Sequence, residues 1–166
     1  PLRLVGSEMC IRDRFYIYPF TIPEMDRGVD AMEHINQHYF EFSELRKQGL
    51  DALIITGANP ANPILEDEAF WGPLMEIFDW ASDNVASMLC SCLATHALVQ
   101  SRHEIKRQRL PRKKWGVYSH TITEPKHPLT WEVNTHFDAP HSRYNDVSKE
   151  HMAVSYTHLT LPTNRE

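Results

Sequence analysis

Cysteine is scarce in this chain, with only Cys10, Cys90 and Cys92 among 166 residues. Three are too few for a disulfide framework and fit a reducing, cytoplasmic setting. Cys90 and Cys92 are also badly placed to bridge each other, because joining side chains two apart on a strand would distort the backbone. No run of about 18 apolar residues occurs, which excludes a membrane-spanning helix. The start lacks the basic, apolar, small-residue order of a secretory signal. There is no internal repeat and no glycine-rich phosphate loop. Nor is there an excess of positive charge. The 17 Lys and Arg stand against 22 Asp and Glu, a net charge of −5, which disfavours a general nucleic-acid binder.

What is present describes an ordinary folded chain. Hydrophobic residues make up 42% and charged residues 23%, the balance of a soluble globular protein rather than a disordered one. At about 150 residues per domain the length fits one domain. Charge is unevenly spread. Arg102, Lys106, Arg107, Arg109, Arg112, Lys113 and Lys114 fall in one short window beside a single Glu. The window reads either as a solvated loop or as a patch that attracts phosphate groups. The two ends look foreign: Val5 to Arg14 (VGSEMCIRDR) and Ala153 to Glu166 (AVSYTHLTLPTNRE) resemble translated sequencing-adaptor DNA and carry no clear amphipathic period. Residues 1–14 are therefore expected to be a non-native leader and 153–166 a non-native tail. That leaves 15–152 as a partial α/β domain, the interior of a longer protein.

Periodicity predicts the elements. Phe15 to Phe20 is aromatic and bounded by prolines, as a strand would be. Arg27 to Gly49 has helical spacing and a glycine stop. Leu50 to Thr56 is a continuous apolar run that fits a strand buried on both faces. Glu66 to Asn84 reads as an amphipathic helix with acidic residues in its first turn. Val85 to Ser91 reads as a second buried strand and Cys92 to Gln100 as a helix. Trp115 to Thr123 alternates like a strand, and Val133 to Phe137 reads as another. Alternating strands and helices predict an α/β domain with a parallel sheet. Ligands in such sheets bind beyond the carboxyl ends of the strands. The loops Gly57 to Leu65, the turn at Cys92 and the stretch after Phe137 thus become candidates.

Cys92 is the most informative residue. At a strand-to-helix junction a cysteine faces the helix amides and the positive end of the dipole, which favours thiolate. The backbone amide of Leu93 would then help hold an oxyanion. The bland alternative is a buried, inert cysteine, and Cys90 reads as core packing. Zinc on Cys90, Cys92 and His96 is disfavoured, since strand and helix would split the ligands and no second cysteine pair exists. The histidines at 96, 120, 127, 136 and 141 are individually unremarkable. Pro140-His-Ser-Arg reads as a rigid turn with a polar lining suited to a small zwitterion.

Taken in order, Leu53-Ile-Ile-Thr-Gly-Ala, Phe70-Trp71, Asp79-Trp80-Ala81, Cys92, Trp115-Gly-Val-Tyr-Ser-His and Ala139-Pro-His-Ser-Arg resemble the homoserine O-succinyltransferase family. The resemblance covers essentially all of 15–152. It implies the class I glutamine amidotransferase-like fold, a flavodoxin-like, three-layer parallel-sheet domain, here incomplete. It also implies acyl transfer from an acyl-CoA, expected to be succinyl-CoA, to the hydroxyl of L-homoserine in methionine biosynthesis. In such enzymes the elbow cysteine carries the acyl group as a thioester, and Cys92 matches it. Lys113 matches a lysine implicated in substrate binding and Ser142 a substrate-contacting serine. Ala61 falls at the loop position linked to acyl-donor choice.

Some features depart from the better-known members. Leu93 and His96 stand where those have Trp and Gln. The family's base lies in a Gly-His-Pro-Glu-Tyr-Asp-like motif that does not occur here, and His96, His120 and His141 do not match it. Serine as acceptor stays open, because one methylene is worth only about 1–3 kcal/mol in a pocket. So do a glutamine amidotransferase or cysteine hydrolase of the same fold, and a non-catalytic α/β binding module. The expectation is a cytoplasmic enzyme without metal or other cofactor and without nucleic-acid or membrane partners, a homodimer being left open.

Overall fold

The computed structural model describes residues 15–22, 25–128, 130–131 and 133–147. The leader and tail segments, 1–14 and 153–166, lie outside them. The chain is mixed α/β and forms two compact units, one running to Thr95 and the other starting at His96.

In the first unit, α1 (Val29–His38) and α2 (Phe42–Gln48) replace the single helix expected between Arg27 and Gly49. The break falls at Tyr39, whose extended backbone (φ −116°, ψ 148°) caps α1. The aromatic pair Tyr39-Phe40 satisfies helical spacing on paper, yet Phe40 bridges to Phe20 instead. Phe42, which starts α2, is buried, with its ring 4.9 Å from Phe20 and 5.3 Å from Trp80. Gly49 does end the segment, at φ 83°, a conformation glycine adopts without steric penalty. The strand expected at Phe15 to Phe20 is reduced to that one bridge.

β1 (Ala52–Ile55) and β2 (Ser87–Cys90) pair in parallel, Ile55 opposite Cys90. Between them runs α3 (Trp71–Asn84), preceded by a 3₁₀ turn at Leu65–Asp67. The acidic residues expected in the first turn of this helix belong to that earlier turn, and α3 itself starts without them. Its inward stripe of Leu74, Ile77, Phe78 and Ala81 is buried, the spacing of an amphipathic helix. The expectation that β1 and β2 are buried on both faces is corrected. Leu53 and Ile55 are buried, whereas the register partners Ile54 and Leu89 are 66% and 62% exposed. Among the described residues, only one face of this pair is covered.

Helix α4 (Leu93–His103) leaves the first unit and enters the second. There β3 (Gln108–Thr121) and β4 (His136–Asp146) form an antiparallel hairpin. This corrects two expectations. The later strands do not extend a parallel sheet, and Pro140-His-Ser-Arg is strand rather than turn. Pro140 is tolerated because a two-stranded ribbon has free edges, and a residue there need not donate to a ladder.

Candidate active site

The parallel pairing of β1 and β2 brings the two segments that follow them together. Ser91 N–H donates to the Ile55 carbonyl at 2.9 Å, so the ladder reaches to within one residue of Cys92. The chain then reverses sharply into α4. Cys92 takes φ 57°, a left-handed conformation that costs a non-glycine residue about 1–2 kcal/mol. Its side chain is exposed, whereas Cys90 is half-buried. Burial pushes the Cys90 thiol above its ordinary pKa, leaving it a packing residue. Strain of this kind is held where the surroundings over-determine it, and it clusters at functional sites. The strand-to-helix elbow with an outward nucleophile is one such arrangement.

Two neighbours hold the elbow. Thr95 Oγ1 donates to the Cys90 carbonyl at 2.8 Å, tying the first turn of α4 to the end of β2. Gly57, two residues beyond β1, passes directly under the helix start. A Cβ there would lie 2.4 Å from the Leu93 nitrogen, 2.8 Å from the Leu93 Cβ and 3.1 Å from the Cys92 Cβ. Only glycine allows this approach. Gly57 was legible as a strand terminator but not as the floor of the elbow, and nothing in the sequence marks Thr95. The amide of Leu93, the first residue of α4, makes no hydrogen bond among the described residues, as expected of a helix N-terminus.

Ala61 is exposed in the loop after β1. Its position is fixed by Asn62, whose N–H donates to Glu68 Oε1 at 2.5 Å and whose Nδ2 donates to the Asp67 carbonyl at 3.3 Å. Cys92, Leu93 and Ala61 therefore all sit in the first unit, beyond the carboxyl ends of β1 and β2, with Leu93 opening α4, where α/β sheets place their ligands.

Lys113 and Ser142 sit in the second unit, both on the hairpin. The register jumps between Arg109 and Lys114, so the stretch from Leu110 to Lys113 bulges opposite Tyr144. Pro111, which has no N–H for the ladder, lies in that bulge. Arg109 and Lys113 both reach the Tyr144 ring, at 5.5 and 5.6 Å, within cation–π range. The basic window thus spans the end of α4, the connection at 104–107 that carries Lys106 and Arg107, and the start of β3. Ser142 is exposed on β4 opposite Trp115.

The histidines weighed as bases lie in this second unit. His96 is half-buried on α4. Burial, then the charge of Arg107, lowers its pKa, with Asp146 opposing and Arg143 assisting. His141 and His120 face each other across the hairpin with Nε2 atoms 2.8 Å apart. No cluster of three or more metal-ligating side chains occurs among the described residues.

The homoserine O-succinyltransferase family model matches residues 2–164. The chain belongs to this family. It is 53% identical over 153 residues to the homoserine O-succinyltransferase of Methylococcus capsulatus, covering 92% of this chain and 43% of that protein. Against the homoserine O-succinyltransferase of Thiothrix nivea it is 56% identical over 149 residues, covering 90% of this chain and 41% of the relative. That of Thiobacillus denitrificans is 56% identical over 147 residues, covering 89% of this chain and 42% of the relative. The chain thus spans less than half the length of these homoserine O-succinyltransferases.

Proposed function

We propose that the full-length protein transfers a succinyl group from succinyl-CoA to the hydroxyl of L-homoserine, in methionine biosynthesis, through a thioester on Cys92. The observation that carries the reading is the exposed, positive-φ Cys92 at a strand-to-helix elbow, in a chain of this family. In the first step the Cys92 thiolate attacks the donor's thioester carbonyl. The carbonyl oxygen becomes an oxyanion beside the Leu93 N–H, and collapse expels CoA thiolate. In the second, the homoserine hydroxyl attacks the enzyme thioester, loses its proton to a general base and releases Cys92 as thiolate. Lys113 and Ser142 are assigned to substrate binding. No metal or resident cofactor enters the scheme.

The fold goes with this reading. The uncovered Ile54 and Leu89 face of β1–β2 fits a sheet that a second helical layer covers in the full-length protein. That is the three-layer amidotransferase-like architecture. No helix among the described residues is long and apolar enough to cross a membrane, and a cytoplasmic location goes with the proposed pathway.

Donor choice is assigned to Ala61, where acetyl-using relatives carry Glu. A carboxylate there would repel the succinyl carboxylate and fill its space, and alanine does neither. In initial-rate assays of the full-length protein, Ala61→Glu is expected to shift the succinyl-CoA to acetyl-CoA preference by about 10–100-fold toward acetyl. An unchanged ratio would remove Ala61 from the donor site.

The 166-residue chain alone is expected to lack turnover, because the family's His- and Glu-bearing base motif does not occur in it. Without general-base help the second step slows by about 10²–10⁴-fold. Homoserine-dependent CoA release by this chain at the rate of the full-length protein would contradict that reading, and would direct mutation to His96, His120 and His141.

A further inference from the structure

One face of the hairpin carries a row of side chains whose hydrogen bonds admit a single protonation pattern. An Arg143 Nη1–H donates to His141 Nδ1. His141 Nε2 meets His120 Nε2 at 2.8 Å, with ring planes 14° apart and centroids 5.0 Å apart. Nearly parallel planes joined nitrogen to nitrogen at that spacing describe two imidazoles linked end to end by an in-plane bond. Arg143 Nη2 also donates to Asp146 Oδ2 at 2.8 Å, which fixes the guanidinium from its other side.

Arginine only donates, so His141 Nδ1 must be bare. The neutral His141 ring then carries its proton on Nε2 and donates it to His120 Nε2. His120 in turn carries its proton on Nδ1. A proton added to His120 Nε2 would set two N–H groups against each other. A proton added to His141 Nδ1 would set an N–H against a guanidinium. Either event breaks the row.

We propose that Arg143, His141 and His120 are positioning residues that clamp the peptide carrying Ser142, and that the clamp opens when His141 gains a proton on Nδ1, the atom that accepts from Arg143. The inference rests on the reading of Ser142 as a substrate contact. Along β4, residues 141 and 143 project to one face and residue 142 to the other. Fixing both flanking side chains therefore fixes the backbone between them and leaves Ser142 presented on the far side.

The charges around the row set its pH range. From β3, Lys114 and His120 face His141, with the Tyr118 ring edge-on at 5.2 Å. From β4 come Arg143 and Asp146, and His96 of α4 interacts electrostatically with both. Burial, then Arg143, Lys114 and His120, lowers the His141 pKa below its ordinary 6.5, with only Asp146 opposing. With the folded pKa depressed, the unfolded state binds more protons. The clamp's contribution to stability is then present above pH 6.5 and is lost as pH falls toward the folded pKa.

The test uses full-length protein labelled with ¹⁵N-histidine. At pH 8, long-range ¹H–¹⁵N spectra are expected to show His141 as the Nε2–H tautomer and His120 as the Nδ1–H tautomer. Arg143→Met is expected to release both to mixed tautomers. As pH falls through the folded-state pKa of His141, which lies below 6.5, the KM for homoserine is expected to rise about 2–10-fold while kcat holds, the scale of one lost intramolecular hydrogen bond. His120→Phe keeps an aromatic ring beside Phe137 but removes the bond, and is expected to give the raised KM at every pH. A His141 Nδ1–H tautomer at pH 8, or tautomers unmoved by Arg143→Met, would overturn the inference. A KM whose pH profile His120→Phe leaves unchanged would also overturn it. The tautomer measurement needs no turnover, so it decides the clamp separately from the acyl-transfer reading.

Discussion

Cys92→Ala in the full-length protein is expected to lower kcat by about 10⁴–10⁶-fold, the range seen when one member of a cooperating nucleophilic group is removed. Cys90 cannot take over. It is half-buried at the end of β2, its pKa is raised by burial, and its position is one pleat back from the elbow. The same site gives a stability contrast. At φ 57° alanine keeps the left-handed strain, whereas glycine relieves it at some cost in unfolded-state entropy. Cys92→Gly is therefore expected to be more stable than Cys92→Ala by about 1 kcal/mol in chemical denaturation, though equally inactive. A Cys92→Gly protein less stable than Cys92→Ala would show that the elbow holds no strain.

Gly57→Ala is expected to damage the enzyme without touching any reacting group. The new methyl would lie 2.4 Å from the Leu93 nitrogen, and that atom is backbone at the start of a helix, so it cannot swing aside. Either the loop after β1 lifts or the first turn of α4 shifts. Overpacking of this kind costs about 1–3 kcal/mol of stability. A displaced Leu93 amide costs a further about 10²–10³-fold in the rate of acyl-enzyme formation, the value of one oxyanion donor. Pre-steady-state release of CoA measures that step. Gly57→Ala with wild-type burst kinetics and unchanged stability would show that the elbow has room the geometry denies it.

The elbow was legible in the sequence because two local signals coincide there. An apolar strand ends at Gly57, and a second ends at a cysteine followed by helical composition. The left-handed backbone at Cys92 was not legible, since nothing in a cysteine's chemistry announces positive φ. The contact of Gly57 with Leu93 was equally hidden, because it joins positions far apart in the chain.

The hairpin was misread for a different reason. Pro140 signals a turn in most contexts, and only the free edges of a two-stranded ribbon let it sit inside β4. The join between α1 and α2 failed on periodicity: Tyr39 and Phe40 keep helical spacing, and pairing of Phe40 with Phe20 overrides it. The tautomer row was invisible because it depends on His120 and His141 meeting across strands, a register no local pattern gives.

Whether Cys92 carries the acyl group is decided by trapping the acyl-enzyme. Full-length protein is mixed with succinyl-CoA in the absence of amino acid, quenched in acid and digested, and the peptides are mapped by mass spectrometry. One succinyl adduct is expected, on the peptide containing both cysteines, with fragmentation placing it on Cys92. Adding homoserine before the quench is expected to discharge that adduct. A succinyl group on Cys90, or homoserine-dependent turnover with no adduct at all, would rule out Cys92 as the acyl carrier.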